Sequence, residues 1–278
     1  MGFGCNAAGV VGCRIIDSKR ERLIAMLTNS LIPCNGRFPT LIALITLFLV
    51  VAKGALGSLL SALIMAGLIL LSILFTFLCS GLLSRTVLKG TPSSFTLELP
   101  PYRRPQIGKV ILRSVLDRTL FVLGRAVAVA APAGLLLWIL ANVSMGDGNL
   151  LSVIAAVLDP VGRFLGMDGV ILLGFLLALP AAEILLPVIL MIYTGGGNLA
   201  EYEGLGELRG ILVCHGWTVC TAICVILFLL FHFPCSTTLW TIKRESGRWR
   251  WMLLAALLPT LLGAILCLLV TFAGNFLT

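Results

Sequence analysis

This 278-residue sequence predicts an all-α fold, a polytopic transmembrane helical bundle with broken or re-entrant gate helices. Three observations carry the prediction. Hydrophobic residues make up 59% of the chain, charged ones only 12%, and mean hydropathy is +1.08, too apolar for a soluble domain of this length. Apolar runs of the roughly 20 residues needed to cross a bilayer recur without strict alternation, which argues for helices over an outer-membrane barrel. The basic residues behind the net charge of +8 cluster between those runs, so membrane topology explains them and nucleic-acid binding does not.

The opening MGFGCNAAGVVGCR has no basic stretch before an apolar core and is not expected to be a cleaved signal peptide. Its glycine-rich part, residues 2–12, suits close backbone approach or an interrupted helix, with Cys5 and Asn6 as its polar content. In RIIDSKRERL, Arg14, Lys19, Arg20 and Arg22 outweigh Asp17 and Glu21, predicting a cytoplasmic loop. Pro33 and Pro39 then bracket Cys34, Asn35, Gly36 and Arg37, so helix is disfavoured where the polar groups sit. An apolar run extends from Phe38 to about Ala52, and a second span runs from Ala55 to Leu83.

Two spans return the chain to its starting side, and residues 85–118 are again basic. Within them TPSSFTLELPPYRRP is predicted to be extended. From Gln106 to Leu123, Lys109, Arg113 and Asp117 recur every four residues beside an apolar face, the pattern of an interfacial helix or of one that binds a partner. This divides the chain into a first gate region with two transmembrane helices (1–90), a linker with an amphipathic helix (91–123), and a second gate region with C-terminal transmembrane helices (124–278).

A span follows from Gly124 to Val143, kinked at Pro132 and Gly134, and GDGN marks a turn. Asp159, Pro160 and Arg163 interrupt residues 150–167, which read as a re-entrant hairpin or half-helix. Residues 176–190, LLALPAAEILLPVIL, hold one carboxylate, Glu183, between Pro180 and Pro187. A charge at mid-bilayer costs roughly 2.5 to 3.5 kcal/mol on insertion scales, so Glu183 needs a partner or a cavity. Each proline frees carbonyls that are tolerated at that depth only against protein or a water-filled path. The segment therefore reads as a broken transmembrane helix at a cation site. Residues 198–207 carry three glutamates and are assigned outside. A span from Ile211 to Phe233, a basic loop with Lys243, Arg244, Arg248 and Arg250, and a last span from Trp251 to Phe272 complete the chain.

The nine cysteines are odd in number and lie mostly in or beside apolar runs, which argues against a disulfide framework. Packing is the reading for most, including Cys79 and Cys267; for Cys214, His215, Cys220 and Cys224, which fall within three turns of helix, packing is the first reading and a soft-metal cluster the alternative. His215 and His232 read as satisfied interfacial residues. Cys5, Cys34 and Cys235 differ because each sits at a helix break. Two stretches also echo each other, LIPCNGRFPTLIAL at 31–44 and FHFPCSTTLWTIKR at 231–244, as repeated halves of secondary transporters do. Thiols, a carboxylate and freed carbonyls favour a transition metal over Na⁺ or Mg²⁺. The metal candidates are thus Cys5, Cys34, Glu183 and Cys235, with Asn6, Asn35, Arg37, Pro180, Ser236 and Thr237 along the path. Packing cysteines, and an Arg37 that only bonds carbonyls, are the alternatives.

Six ordered motifs, GFGCN, IPCNGR, ELPPYR, GRAVAVAAPAGLLLW, LPAAEILLPVILMIY and HFPCSTTLWTIKRESG, closely resemble the membrane portion of the ferrous iron transport protein B family. The resemblance implies uptake of Fe²⁺, the transported substrate, across the bacterial cytoplasmic (inner) membrane. It implies two gates of the nucleoside-recognition type, with metal passage involving Cys5, Cys34, Cys235 and Glu183. Expected partners are membrane lipid, a separate GTP-binding domain, a small cytoplasmic accessory protein and further copies of the chain in a homo-oligomer. Family members typically begin with a GTP-binding domain, and no GxxxxGK[ST] phosphate loop occurs in these residues. Neither a GTP site nor an enzymatic activity is expected here, and the chain reads as a fragment, split-gene product or stand-alone relative. Ala182 stands where the family usually has asparagine, and Ala7 and Ala8 where it has Val-Pro. A non-transporting assembly partner and an organic-solute, nucleoside-type transporter are the alternative functions.

Overall fold

The computed structural model describes residues 2–50, 54–90, 106–113, 120–142, 144–145, 148–195 and 204–277. The proline-rich stretch at 91–105, the Asp117 turn of the amphipathic helix and most of the acidic loop at 198–207 lie outside the described residues.

Helix α1 (Asn6–Gly12) starts from an extended Cys5, and α2 (Lys19–Thr28) starts at Ser18, whose hydroxyl accepts the Glu21 N–H at 3.4 Å. Ser18 and Glu21 form the S-x-x-E signature of a helix N-terminus, so the basic stretch read as a loop is helical from Lys19 onward. A 3-10 turn (Asn29–Leu31) leads to the Pro33 break, and a second (Asn35–Arg37) opens α3 (Phe38–Leu44), which passes into π-helix over Ile45–Leu49. Gly54, at φ +73°, starts α4 (Ala55–Arg85). The amphipathic region holds α5 (Ile107–Arg113), and α6 (Phe121–Asn142) carries Pro132. Ser144–Met145 and Gly148–Asn149 pair antiparallel across the predicted turn.

The chain then bends by 108° between α7 (Leu150–Phe164) and α8 (Gly169–Leu177), as the interrupted sequence predicts. Asp168 caps α8 through the Ile171 N–H at 2.7 Å. The bend depends on glycine: a Cβ at Gly162 would lie 2.5 Å from the Asp168 carbonyl carbon, and one at Gly169 would strike the Ala155 oxygen. Helices α9 (Leu185–Thr194), α10 (Leu205–Cys214), α11 (Val219–Phe231), α12 (Ser236–Ser246) and α13 (Trp249–Leu277) complete the bundle. Among the described residues four segments are long and apolar enough to cross a membrane: Lys19–Leu49, Ala55–Arg85, Val219–Ser246 and Trp249–Gly274. The bent pair would be a fifth.

Two expectations are corrected. The span expected from Ile211 starts at Val219, because Gly216 (φ +84°) ends α10 and the Thr218 hydroxyl caps α11 at Thr221 N–H, 3.2 Å away. It also continues past Phe233 through the Pro-Cys break to Ser246. The Glu183 segment is a hairpin instead of one broken span. Asp168, at the start of α8, accepts a hydrogen bond from Tyr193, near the end of α9, and a Cβ at Gly174 would press on Ile189 and Leu185. The two helices therefore lie antiparallel, with the turn at 178–184 as their tip. Prolines 180 and 187 signalled the break, but nothing local in the sequence signalled the reversal.

Side-chain contacts define two ends of the bundle. At the basic end Arg14 pairs with Glu245 at 2.6 Å, Arg20 donates to the Leu88 and Ser84 carbonyls, and Val10, Ile24, Leu83, Ile242 and Ala255 pack together. At the opposite end Trp217 donates to the Tyr193 hydroxyl at 2.9 Å and stacks on Phe48. There Gly166 approaches Thr271 and Gly274 approaches Cys220. Between the ends lies the main core, built from α3, α8, α9 and α11 around Leu41, Phe175, Leu186 and Phe231. By these ends α1, α2, α3 and α4 run in the sense opposite to α9, α11, α12 and α13 respectively. The halves that the Pro-Cys echo suggested are thus inverted relative to each other, with their breaks at mid-depth.

Candidate functional site

Four helix breaks meet between the two ends, and each is tied to another by backbone. After the first Pro-Cys, Asn35 N–H donates to Gly4 O at 3.3 Å; after the second, Ser236 N–H donates to Leu179 O at 2.9 Å. Cys5 and Ala181, which precede the helical turns at the two tips, have nearly the same backbone angles, φ −152° and ψ 125° against φ −152° and ψ 124°. The inverted halves therefore build the same joint twice. Their side chains differ. The first tip presents Cys5 and Asn6, and the second presents Pro180, Ala182 and Glu183.

Arg37 locks the halves together. It is 1% exposed, and its guanidinium donates to Leu230 O at 3.0 Å and to His232 O and Phe233 O at 3.3 Å each. These carbonyls end α11, where the helix dipole is negative and a cation is favoured. Arg37 thus bonds carbonyls, three residues after Cys34 and at the end of α11 that leads to Cys235. Its Nε finds no acceptor among the described residues.

Glu183 sits in the 3-10 turn (Ala182–Ile184) that leads into α9. It is exposed and makes no ion pair with the described residues, and it lies directly against Gly36, where a Cβ would come within 3.0 Å of its Oε1. Glu183 is therefore beside the first Pro-Cys turn, on the opposite half of the molecule. Cys5, Cys34 and Cys235 are all partly buried free thiols. Cys235 shares a 3.2 Å hydrogen bond with the buried Thr238. Asn6 is 4% exposed, and among the described residues neither its side-chain oxygen nor the Ser236 hydroxyl has a hydrogen-bond partner. Asn35 is exposed, and Pro180 and Thr237 are partly buried. The breaks are brought together, but among the described residues no three His, Cys, Asp or Glu side chains converge as a set that could hold a metal ion.

Of the other cysteines, Cys13, Cys79, Cys220, Cys224 and Cys267 are partly or fully buried, whereas Cys214, expected to pack, is exposed near the end of α10. Cys224 and Cys267 exchange hydrogen bonds with each other's carbonyls across α11 and α13. His215 is exposed at the end opposite the basic one, stacked on Tyr193. His232 is satisfied, bonding Leu229 O at 2.9 Å, but it is not interfacial: it is buried among Phe175, Phe228 and Phe233. Asn29 and Thr238 escaped notice in the sequence. Their only signal was position, Asn29 five residues before Cys34 and Thr238 three after Cys235.

Comparison with known proteins agrees with the motifs. Residues 65–118 match a family model described as ferrous iron transport protein B C terminus, and residues 123–249 match one described as nucleoside recognition. A protein named Fe(2+) transporter FeoB from Methanocaldococcus jannaschii is 26% identical over 292 residues, covering 100% of this chain and 41% of the relative. A Staphylococcus aureus protein of the same name is 26% identical over 278 residues, 96% of this chain and 38% of the relative. From Porphyromonas gingivalis, an Fe(2+) transport protein A/Fe(2+) transporter FeoB fusion protein is 25% identical over 320 residues, 99% of this chain and 37% of the relative. This chain thus spans about two fifths of the length of these curated relatives. No solved structure matches it.

Proposed function

We propose that this chain, which resembles the membrane portion of ferrous iron transport protein B along its whole length, is a permease module that moves Fe²⁺ across the bacterial cytoplasmic membrane. The observation that carries the reading is the meeting of four helix breaks at mid-depth, with Glu183 of one half against Gly36 of the other. Discontinuous helices at a repeat interface are where secondary transporters bind cargo. The basic end, with Arg14, Lys19, Arg20 and Arg22, is then cytoplasmic.

In this reading Glu183 supplies charge compensation, Cys5, Cys34 and Cys235 supply soft ligation, and Asn6, Asn35, Ser236 and Thr237 line the path. Pro180 frees carbonyl oxygens at the second tip, and Arg37 holds the halves in register. Among the described residues no three such ligands converge, so in this reading the ion passes between pairs of ligands instead of resting in a closed cage. That suits passage, since conduction needs binding weak enough to release. Residues 1–90 and 124–278 are the two gate regions, and 91–123 link them. GTP binding belongs to a separate domain, and the fused relative supports a small accessory protein as a further partner. A homo-oligomer remains part of the proposal.

Iron flux into proteoliposomes tests it, comparing wild type with Glu183→Gln and Cys34→Ser, with and without a separately supplied GTP-binding domain. Wild type is expected to accumulate iron and both variants to lose most of the flux. Equal accumulation by all three would overturn the site assignment. No flux with a retained partner would favour the docking role.

A further inference from the structure

We propose that Asn29 is a positioning residue for the first gate, holding the Cys5–Asn6 tip through its main chain so that the Asn6 side-chain oxygen is left unpaired for cargo. Asn29 lies in the 3-10 turn after α2, and its Nδ2 donates to the main-chain oxygen of Asn6 at 2.9 Å. Its Oδ1 fills the space in front of two glycines: a Cβ on Gly9 would lie 2.5 Å from it, and one on Gly2 2.7 Å. Gly2 precedes Cys5 and Gly9 lies one turn into α1, so one amide grips the tip on both sides. The amide orientation follows from chemistry, because only the NH₂ group can face the Asn6 carbonyl.

A second observation points to what the grip is for. Asn6 is 4% exposed, and its Oδ1 is buried without a donor among the described residues. A buried acceptor left unpaired is costly unless something occupies it in use. Because Asn29 bonds the Asn6 main chain, it fixes where that oxygen points without consuming it. An oxygen ligand beside the Cys5 thiol would complement soft ligation of a divalent cation at the tip. The grip stands on geometry alone, and its link to cargo rests on the iron-permease reading.

The test is alkylation by a membrane-permeant maleimide, read cysteine by cysteine by peptide mass spectrometry in the full chain. Exposed Cys214 serves as the reference, and fully buried Cys267 reports unfolding. Asn29→Ala and the near-isosteric Asn29→Asp are expected to speed Cys5 labelling at least several-fold, with Cys214 and Cys267 unchanged. Gly9→Ala is expected to do the same by displacing the amide, and Gly9→Ala with Asn29→Ala to be no worse than Asn29→Ala alone. In liposomes Asn29→Ala is expected to raise the half-saturating iron concentration about five-fold, the effect of one neutral hydrogen bond, with the maximal rate nearly kept. Unchanged Cys5 labelling in Asn29→Asp, or additive effects in the double variant, would overturn the proposal. If the wild type moves no iron while Cys5 is still released, the permease reading fails and the positioning role stands.

Discussion

Gly36 and Glu183, 147 positions apart in sequence, lie against each other across the two halves of the bundle: a Cβ at residue 36 would stand 3.0 Å from the carboxylate oxygen, so the exposed glutamate side chain would have to give way by a few tenths of an ångström. Gly36→Ala is expected to push the exposed Glu183 side chain aside by a few tenths of an ångström, at little cost in stability. Iron uptake should fall at least several-fold while the protein stays folded, read by flux together with the thermal unfolding midpoint. Uptake equal to wild type would show that the contact is incidental.

Arg37 should be the costliest single side chain to remove. Its loss strands the Leu230, His232 and Phe233 carbonyls in the interior, and bonds to a charged donor are worth about 1.5–3 kcal/mol each. We expect Arg37→Ala to destabilise the protein by more than about 3 kcal/mol in a detergent unfolding assay. Arg37→Lys should recover only part of that, because an ammonium cannot present the planar fork. Full recovery by lysine would mean that charge alone matters there.

The 108° bend between α7 and α8 makes a prediction that contrasts two glycines. Gly162→Ala would place a methyl 2.5 Å from the Asp168 carbonyl carbon, so a loss of about 1–3 kcal/mol is expected. Gly67, mid-way along α4, has nothing within 4 Å of its would-be Cβ. Gly67→Ala should be tolerated, helix propensity favouring it by about 0.5–1 kcal/mol. Unfolding midpoints of the two variants, measured side by side, decide; equal values would refute the close approach at the bend.

The ion pair at the basic end should matter little. Arg14 is 62% exposed, so Arg14→Ala is expected to cost less than about 1 kcal/mol, and less still at high salt. A larger, salt-independent loss would mean that Arg14 packs more than it pairs.

Topology offers an independent check. Val219–Ser246 forms one span, so tags at Glu203 and at Ser246 should report opposite sides of the membrane. Accessibility to an impermeant reagent in sealed vesicles measures this, and same-side labelling would exclude the arrangement.

Most of the bundle was legible in the chain because the signals are local. A 31-residue apolar α4, the prolines at 33, 180 and 234, and Gly54 before α4 each act on their own few residues through bilayer length, a missing N–H or a permitted φ. Cys5, Cys34, Cys235 and Glu183 were found at breaks for the same reason. The Ser18 cap was equally local, and it was missed because charge outweighed the S-x-x-E pattern in reading that stretch.

What the sequence determined by itself is the class, the positions of the breaks and the residue types placed there, since hydropathy and backbone chemistry need no distant partner. Tertiary structure alone decided that Glu183 rides on a hairpin tip, that Gly36 receives it, that Arg37 caps α11, and that Asn29 grips the first tip. Each of these pairs residues from different elements, up to 196 positions apart in the case of Arg37 and Phe233. Such pairings follow from how two inverted halves close on each other, and a single chain read in order carries no local mark of that closure.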